Sequence, residues 1–271
     1  MRSMIGVDLQ APYHEWVVER AIPLVQMIGG QVDIGFVGSE DEEWRRRLET
    51  LMALVPEAQR GVVRLQSGSA SQKLVEWSSD YDLLVLGPRE PTAIQRVLRG
   101  AIVQRVLKVS HCAVMIPRQA EHLRGRWKCL VGVDINGKYR HEVVSMAARW
   151  TQALGGELDA VYAIQDAMPV IPDSTLRARA AREWRNAREP ERQQLDGLLR
   201  KGVADGHRGQ AIVARGEPED VLGELSAGYD VVVVGNRNRE GLTRFLYGAV
   251  SQNISRNANC DVLTLPTAGL D

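Results

Sequence analysis

Short apolar runs alternate along the chain with stretches in which apolar residues recur every three or four positions. The runs lie near 4–8, 31–37, 61–66, 83–87 and 113–117, and a second series lies near 128–134, 157–163, 210–215, 231–235 and 261–265. Runs of this length predict strands buried on both faces. The periodic stretches between them predict crossover helices, the pattern of βαβ units around a parallel sheet. In the first crossover Tyr13, Trp16, Val17, Ala21, Leu24, Val25 and Ile28 fall on one helical face, which Gly29-Gly30 ends. Further helices are predicted near 40–54, 70–79 and 101–110. In the second series Val143, Val144, Ala147, Ala148, Thr151 and Leu154 supply the matching first-helix face.

The two series are copies of one unit. Met4-Ile5-Gly6-Val7-Asp8 matches Leu130-Val131-Gly132-Val133-Asp134, and Gly29-Gly30-Gln31-Val32-Asp33 matches Gly155-Gly156-Glu157-Leu158-Asp159, both at an offset of 126. Later pairs hold an offset of 148: Gly61 with Gly209, Gly68 with Gly216, Leu74 with Leu222, Tyr81-Asp82 with Tyr229-Asp230, Gly87 with Gly235, and Cys112 with Cys260. A register kept this long marks an internal duplication. The change of offset places 22 extra residues in the second copy, between about 160 and 209. One domain is therefore expected over 1–120 and another over 126–271, joined by a polar link. Within the insertion Asp173 or Ser174 caps a helix, and Pro190 either starts a new helix or kinks one.

Composition narrows the function classes. Of 271 residues 44% are hydrophobic and 25% charged, as in a soluble globular protein, and 34 basic residues balance 34 acidic ones. That balance gives no reason to expect a nucleic-acid or membrane partner. Asp8 interrupts the N-terminal apolar run before a signal core forms, and no run approaches a bilayer span, so a cytoplasmic address is expected. The three cysteines lack metal or redox spacing and read as buried small residues. Six arginines against three glutamates over 177–192 read either as an anion-binding face or as a solvated helix laced with ion pairs, and the second reading is favoured. The five histidines show no ligand spacing, and neither HExxH nor GxSxG occurs. Asp8 and Asp134 read as ligand-facing or capping carboxylates at strand ends, so no dedicated enzyme and no catalytic residue is expected.

The segment after the fourth strand of the second copy carries the candidate chemistry. It runs Val234-Gly235-Asn236-Arg237-Asn238-Arg239-Glu240-Gly241 and on to Tyr247-Gly248-Ala249-Val250-Ser251. A strand ending in Gly, a loop, and a Gly before a helix either cradle a phosphate on backbone N–H groups or only permit tight turns. At these residues the chain resembles the universal stress protein family in its tandem two-domain form. The Val-Asp endings of both first strands, Gly68 and Gly216, and Cys112 and Cys260 share the resemblance. It implies two Rossmann-like (adenine nucleotide alpha hydrolase-like) α/β domains, each an open five-stranded, mostly parallel sheet of order 3-2-1-4-5 with helices on both faces. A ligand would sit between strands one and four. The last strands would pair the copies into a pseudo-dimer, with a homodimer left open.

The resemblance also implies a site for ATP, ADP or AMP, with Mg2+ where ATP is bound. Nucleotide-binding members carry Gly-x2-Gly-x9-Gly-Ser/Thr after this strand. Gly235 and Gly248 keep that spacing, but Asn238 replaces the second Gly and Ala249 replaces the hydroxyl residue. Ser251 would substitute for the hydroxyl, with Val250 between them, and Arg237 or Arg239 would add charge-assisted phosphate contacts. Asp134 would face the ribose or adenine, and the backbone near Ala163 the adenine. In the first copy Pro88 and Pro91 remove N–H donors, Glu90 places a negative charge in the loop, and Val103 takes the place of Ser251, so no nucleotide is expected there. Two readings follow: a stress-response protein whose adenine nucleotide in the second domain controls an unknown protein partner, with slow ATP hydrolysis at most, or a nucleotide-independent scaffold with both loops degenerate.

Overall fold

The computed structural model describes residues 1–12, 14–87, 101–118, 125–166, 173–236 and 258–266. The first half contains β1 (Arg2–Gly6), α1 (His14–Ile28), β2 (Gln31–Val37), α2 (Glu42–Met52), β3 (Arg60–Gln66), α3 (Ala70–Trp77), β4 (Leu83–Leu86), α4 (Ala101–Val109) and β5 (Ala113–Ile116). The second contains β6 (Lys128–Gly132), α5 (Arg140–Ala153), β7 (Glu157–Ile164), α6 (Ser174–Ala187), α7 (Glu189–Gly202), β8 (Arg208–Arg215), α8 (Pro218–Leu225), β9 (Val231–Asn236) and β10 (Asp261–Pro266). Their strands form one ten-stranded sheet of order β3-β2-β1-β4-β5-β10-β9-β6-β7-β8. Each half thus has the order 3-2-1-4-5, with every described pair inside it parallel.

Helix α1 buries Val17, Val18, Ala21, Leu24 and Val25, as its periodicity predicts, and Gly29 ends it in the left-handed region at φ 71°. Tyr13 lies outside the described residues. The first strands stop two residues short of the aspartates. The N–H of Val7 still reaches the Gly35 carbonyl at 2.9 Å, and that of Val133 the Val161 carbonyl at 2.9 Å, before the chain turns. Core packing forms one layer on each side of the sheet, and both layers run through both halves. One joins Val17, Leu24 and Leu48 with Val144, Leu195 and Leu198; the other joins Trp77 and Leu107 with Leu222 and Val262.

A repeated clamp accounts for several of the matched residues. Asp33, 1% exposed, accepts the Tyr81 hydroxyl at 2.5 Å, Arg2 Nη2 at 2.9 Å and the Val62 N–H at 2.8 Å. Asp159 accepts the Tyr229 hydroxyl at 2.7 Å and the Gln210 N–H at 2.7 Å. The ladders β2–β3 and β7–β8 each shift register at that aspartate, where its carboxylate takes the bond a carbonyl would otherwise accept. Gly61 and Gly209 leave room for it: a Cβ on either would lie 1.9 Å from the carboxylate oxygen. Burial, followed by the hydrogen bond to aspartate, raises both tyrosine pKa values above the usual phenol range, so the hydroxyls remain donors. Removing either hydroxyl, by Tyr81→Phe or Tyr229→Phe, is expected to lower the unfolding free energy in urea titrations, by about 1–3 kcal/mol for Tyr81, whose carboxylate partner is buried, and by less for Tyr229, whose partner is half-buried.

The halves meet where β5 and β10 pair antiparallel, Ile116 opposite Val262, Met115 opposite Leu263 and Val114 opposite Thr264. Just beyond the ladder the Arg118 N–H donates to Asp261 Oδ1 at 2.7 Å, and Arg20 Nη2 of α1 reaches the same oxygen at 3.4 Å. Asp261 is 3% exposed, and desolvation raises its pKa to about 6 against the lowering effect of Arg20 and Arg118. Its folded-state pKa therefore exceeds the unfolded value of about 4, so this carboxyl adds stability below about pH 4 that is lost as pH rises through about 6. Compared with Asp261→Asn, the wild-type chain is expected to lose about 3 kcal/mol of unfolding free energy between about pH 4 and 7. Paired denaturation curves measure that difference and cancel the other carboxylates.

The inserted segment is an extra helix. Helix α7 matches α2, its buried Leu195, Leu198 and Leu199 standing for Leu48, Leu51 and Met52 at an offset of 147. Of the 22 added residues, 21 therefore precede α7, and the last falls between α7 and β8. Asp173 caps α6, accepting the Leu176 N–H at 2.8 Å, and Pro190 opens α7. No residue of α6 is buried. All three glutamates of the arginine-rich stretch are in ion pairs: Arg179–Glu183 at 2.8 Å, Arg188–Glu191 at 3.1 Å and Arg192–Glu189 at 2.6 Å.

Candidate functional site

In the second half the chain leaves β6 toward β7 and β8, then returns to place β9 and β10 on the other side. The gap between β6 and β9 is thus a topological switch point, where ligands of such sheets sit beyond the strand carboxyl ends. Gly132 pairs with Val161, and Val131 with Val233. Two residues beyond Gly132 and Val161 come Asp134 and Ala163 at one level of the carboxyl edge, while Gly235, two beyond Val233, is level with Val133, one residue back on the third strand. All three are partly exposed. Arg237, Asn238, Arg239, Gly248, Ala249, Val250 and Ser251 lie outside the described residues.

The turn after β6 is fixed by Asp134 itself. Its Oδ1 accepts the Asn136 N–H at 3.0 Å and its carbonyl accepts the Gly137 N–H at 2.9 Å, a turn in which an aspartate side chain caps the backbone two residues on. Asn136 Nδ2 then reaches the Tyr162 hydroxyl at 3.4 Å, and Gln194 Nε2 of α7 donates to the Ile135 carbonyl at 3.2 Å. Asn136, Tyr162 and Gln194 border the site without belonging to any motif. The one visible signal was the turn-forming Asp-Ile-Asn-Gly string. The first half repeats the turn: Asp8 Oδ1 accepts the Gln10 N–H at 3.1 Å, and Arg47 Nη2 braces the Leu9 carbonyl at 3.0 Å.

The matching glycine of the first half has a packing role. A Cβ on Gly87 would lie 1.9 Å from Val17 Cγ2, so only glycine lets α1 approach the end of β4 this closely. Val103, in the place of Ser251, packs against the core instead of offering a hydroxyl. Pro88, Glu90 and Pro91 lie outside the described residues. The half-sites also point apart. All strands of one half run parallel and the halves meet antiparallel, so the two switch points open on opposite edges of the sheet.

A model of the universal stress protein family matches residues 30–118 and again 126–266. The chain belongs to the universal stress protein family. A universal stress protein of Methanocaldococcus jannaschii is 27% identical over 92 residues, which is 33% of this chain and 46% of that protein, so the match spans about half of the relative. The solved structure of a universal stress protein from Archaeoglobus fulgidus superposes with a TM-score of 0.67 at 16% identity, over 100% of this chain and 97% of that one. A Pseudomonas aeruginosa protein of unknown function gives 0.68 at 15% identity, over 98% and 92% of the two chains. These likenesses establish the tandem universal stress protein fold along the whole length.

Among the described residues no group of three or more His, Cys, Asp or Glu side chains could hold a metal ion. Burial pushes the Cys112, Cys129 and Cys260 thiols up to about 12, which keeps them protonated. No described helix is long and apolar enough to cross a membrane.

Beside the site, a polar cluster ties α6 to the ends of β7 and β8. The Trp184 indole N–H donates to Asp166 Oδ2 at 3.1 Å. Arg215 of β8 lies 4.7 Å from the Trp184 ring centroid and 3.4 Å from Asp166, with Arg188 at 6.0 Å and 3.9 Å from the same two groups. Asp166 is three residues beyond Ala163, and Arg215 pairs with Ile164, so this latch adjoins the site. Trp184→Ala is expected to speed hydrogen exchange of α6 amides at least tenfold while changing global unfolding by less than about 1 kcal/mol, since α6 buries no side chain.

Proposed function

We propose that this universal stress protein binds an adenine nucleotide, ATP, ADP or AMP, at the β6–β9 switch point of its second unit, and acts in a cytoplasmic stress response by changing the surface offered to a protein partner. What supports this reading is the convergence of Asp134, Ala163 and Gly235, within one residue of the same level, at three adjacent strand ends. Asp134, fixed by its turn, accepts a hydrogen bond from the ribose or the base, and the strand backbone at Ala163 flanks the adenine. The loop from Gly235 to Gly248 wraps the phosphates with backbone N–H groups, and Arg237 or Arg239 adds charge. Ser251 replaces the hydroxyl missing at Ala249, and Mg2+ accompanies ATP on its phosphate oxygens rather than on a protein cage. Helix α6, latched beside the site, is the surface that reads occupancy.

The nucleotide-independent scaffold has one observation in its favour. Gly87 is explained by close packing against Val17, and the residues of the second unit equivalent to these two are Gly235 and Val143.

Two measurements separate the readings. Denatured purified protein is expected to release adenine nucleotide by mass spectrometry, and Mg-ATP at 100 times its dissociation constant to add about 2.7 kcal/mol of stability. Gly248→Val is expected to remove that gain, and Gly100→Val to leave it intact. A wild-type chain that carries no nucleotide and gains nothing from Mg-ATP overturns the proposal.

A further inference from the structure

The turn after the first strand breaks the repeat in charge. At the offset of 126, Ala11-Pro12-Tyr13-His14-Glu15 of the first unit becomes Gly137-Lys138-Tyr139-Arg140-His141 in the second. With histidine counted as neutral, one negative charge gives way to two positive ones. Arg140 opens α5, whose amino end follows β6 at the β6–β9 switch point. The Gly137 N–H donates to the Asp134 carbonyl at 2.9 Å, and the Gly137 carbonyl accepts both the Arg140 N–H at 3.3 Å and its Nη1 at 3.1 Å. The guanidinium is thereby fixed on the turn that Asp134 shapes.

Closing the turn does not require that charge. In the first unit His14 Nδ1 meets the Ala11 carbonyl at 2.7 Å, the place Arg140 Nη1 takes against Gly137. A guanidinium makes the same bond and has further N–H donors to offer. Arg140 is partly exposed, as a ligand-binding group has to be, and among the described residues no carboxylate forms an ion pair with it. Lys138 and His141 beside it are exposed. Cations in the first turn of a helix oppose its macrodipole, which favours anions there. Glu142 shares that turn, but residues two apart do not face each other on a helix, and its Oε2 is shut from solvent without a partner.

We infer that Arg140 is a specificity-determining residue of the nucleotide site: its guanidinium, flanked by Lys138 and His141, binds the phosphate chain and makes the site prefer ATP and ADP over AMP and adenosine. The inference rests on the adenine-nucleotide reading and narrows it. Each added phosphate brings negative charge and acceptor oxygens to a charge-assisted contact, so affinity grows with chain length. Contacts to the base and ribose at Asp134 and Ala163 are the same for all four ligands. Arg140 also offsets what the loop has lost at Asn238 and Ala249.

The test is calorimetric titration of the full chain with adenosine, AMP, ADP and Mg-ATP at about pH 8, for the wild type, Arg140→His and Arg140→Gln. Arg140→His restores the side chain with which the first unit closes its turn, and an ordinary imidazole is neutral at that pH. The wild type is expected to bind Mg-ATP roughly tenfold or more tightly than AMP, and each variant to lose roughly tenfold for Mg-ATP with adenosine affinity unchanged. If one variant does not fold, the other decides. An ATP-to-adenosine affinity ratio equal to that of the wild type overturns the inference alone and leaves the nucleotide site standing. A loss as large for adenosine as for Mg-ATP does the same, since it marks a merely structural role. A wild type that binds none of the four ligands overturns the nucleotide reading and this inference with it.

Discussion

Antiparallel pairing of β5 with β10 is the constraint on which the rest of the molecule depends. Each five-stranded sheet alone would present an unpaired row of backbone donors and acceptors at its last strand, an aggregation liability. Pairing Val114, Met115 and Ile116 with Thr264, Leu263 and Val262 closes both edges at once and makes the two helical layers continuous. It also has an electrostatic cost. Asp261, 3% exposed, is drawn into the seam, where it accepts the Arg118 N–H and pairs with Arg20.

Much of this architecture is legible in the sequence because the duplication repeats physical causes. Asp33 with Gly61 and Tyr81, and Asp159 with Gly209 and Tyr229, look in the sequence like scattered identities. In three dimensions each trio is one device: a carboxylate in a bulged ladder, the glycine that admits it, and the phenol that holds it. Strand order comes from the family resemblance, and the structure bears it out in both halves.

What stays hidden is whatever breaks the repeat. The Arg118–Asp261 contact joins residues 143 positions apart, and their counterparts in the other unit, Pro266 and Ala113, have no comparable chemistry. No periodicity or motif announces such a contact. The latch on α6 is hidden for a related reason: Trp184 reads as one apolar residue on a charged helix until β7 and β8 bring Asp166 and Arg215 to it. At the candidate site, Asp134 and Gly235 are visible because their backbone positions recur. Asn136 and Tyr162 meet only through side chains on separate elements.

The opposed direction of the two switch points gives the molecule two unlike ends. A duplicated protein with its clefts on one edge would present them to the same neighbour, and any drift in one would alter the setting of the other. Here four strands, β4, β5, β10 and β9, lie between them, so the packing of Val17 against Gly87 in the first unit leaves the edge of the second untouched. The result is a sheet with two unlike ends, each presented to a different neighbourhood.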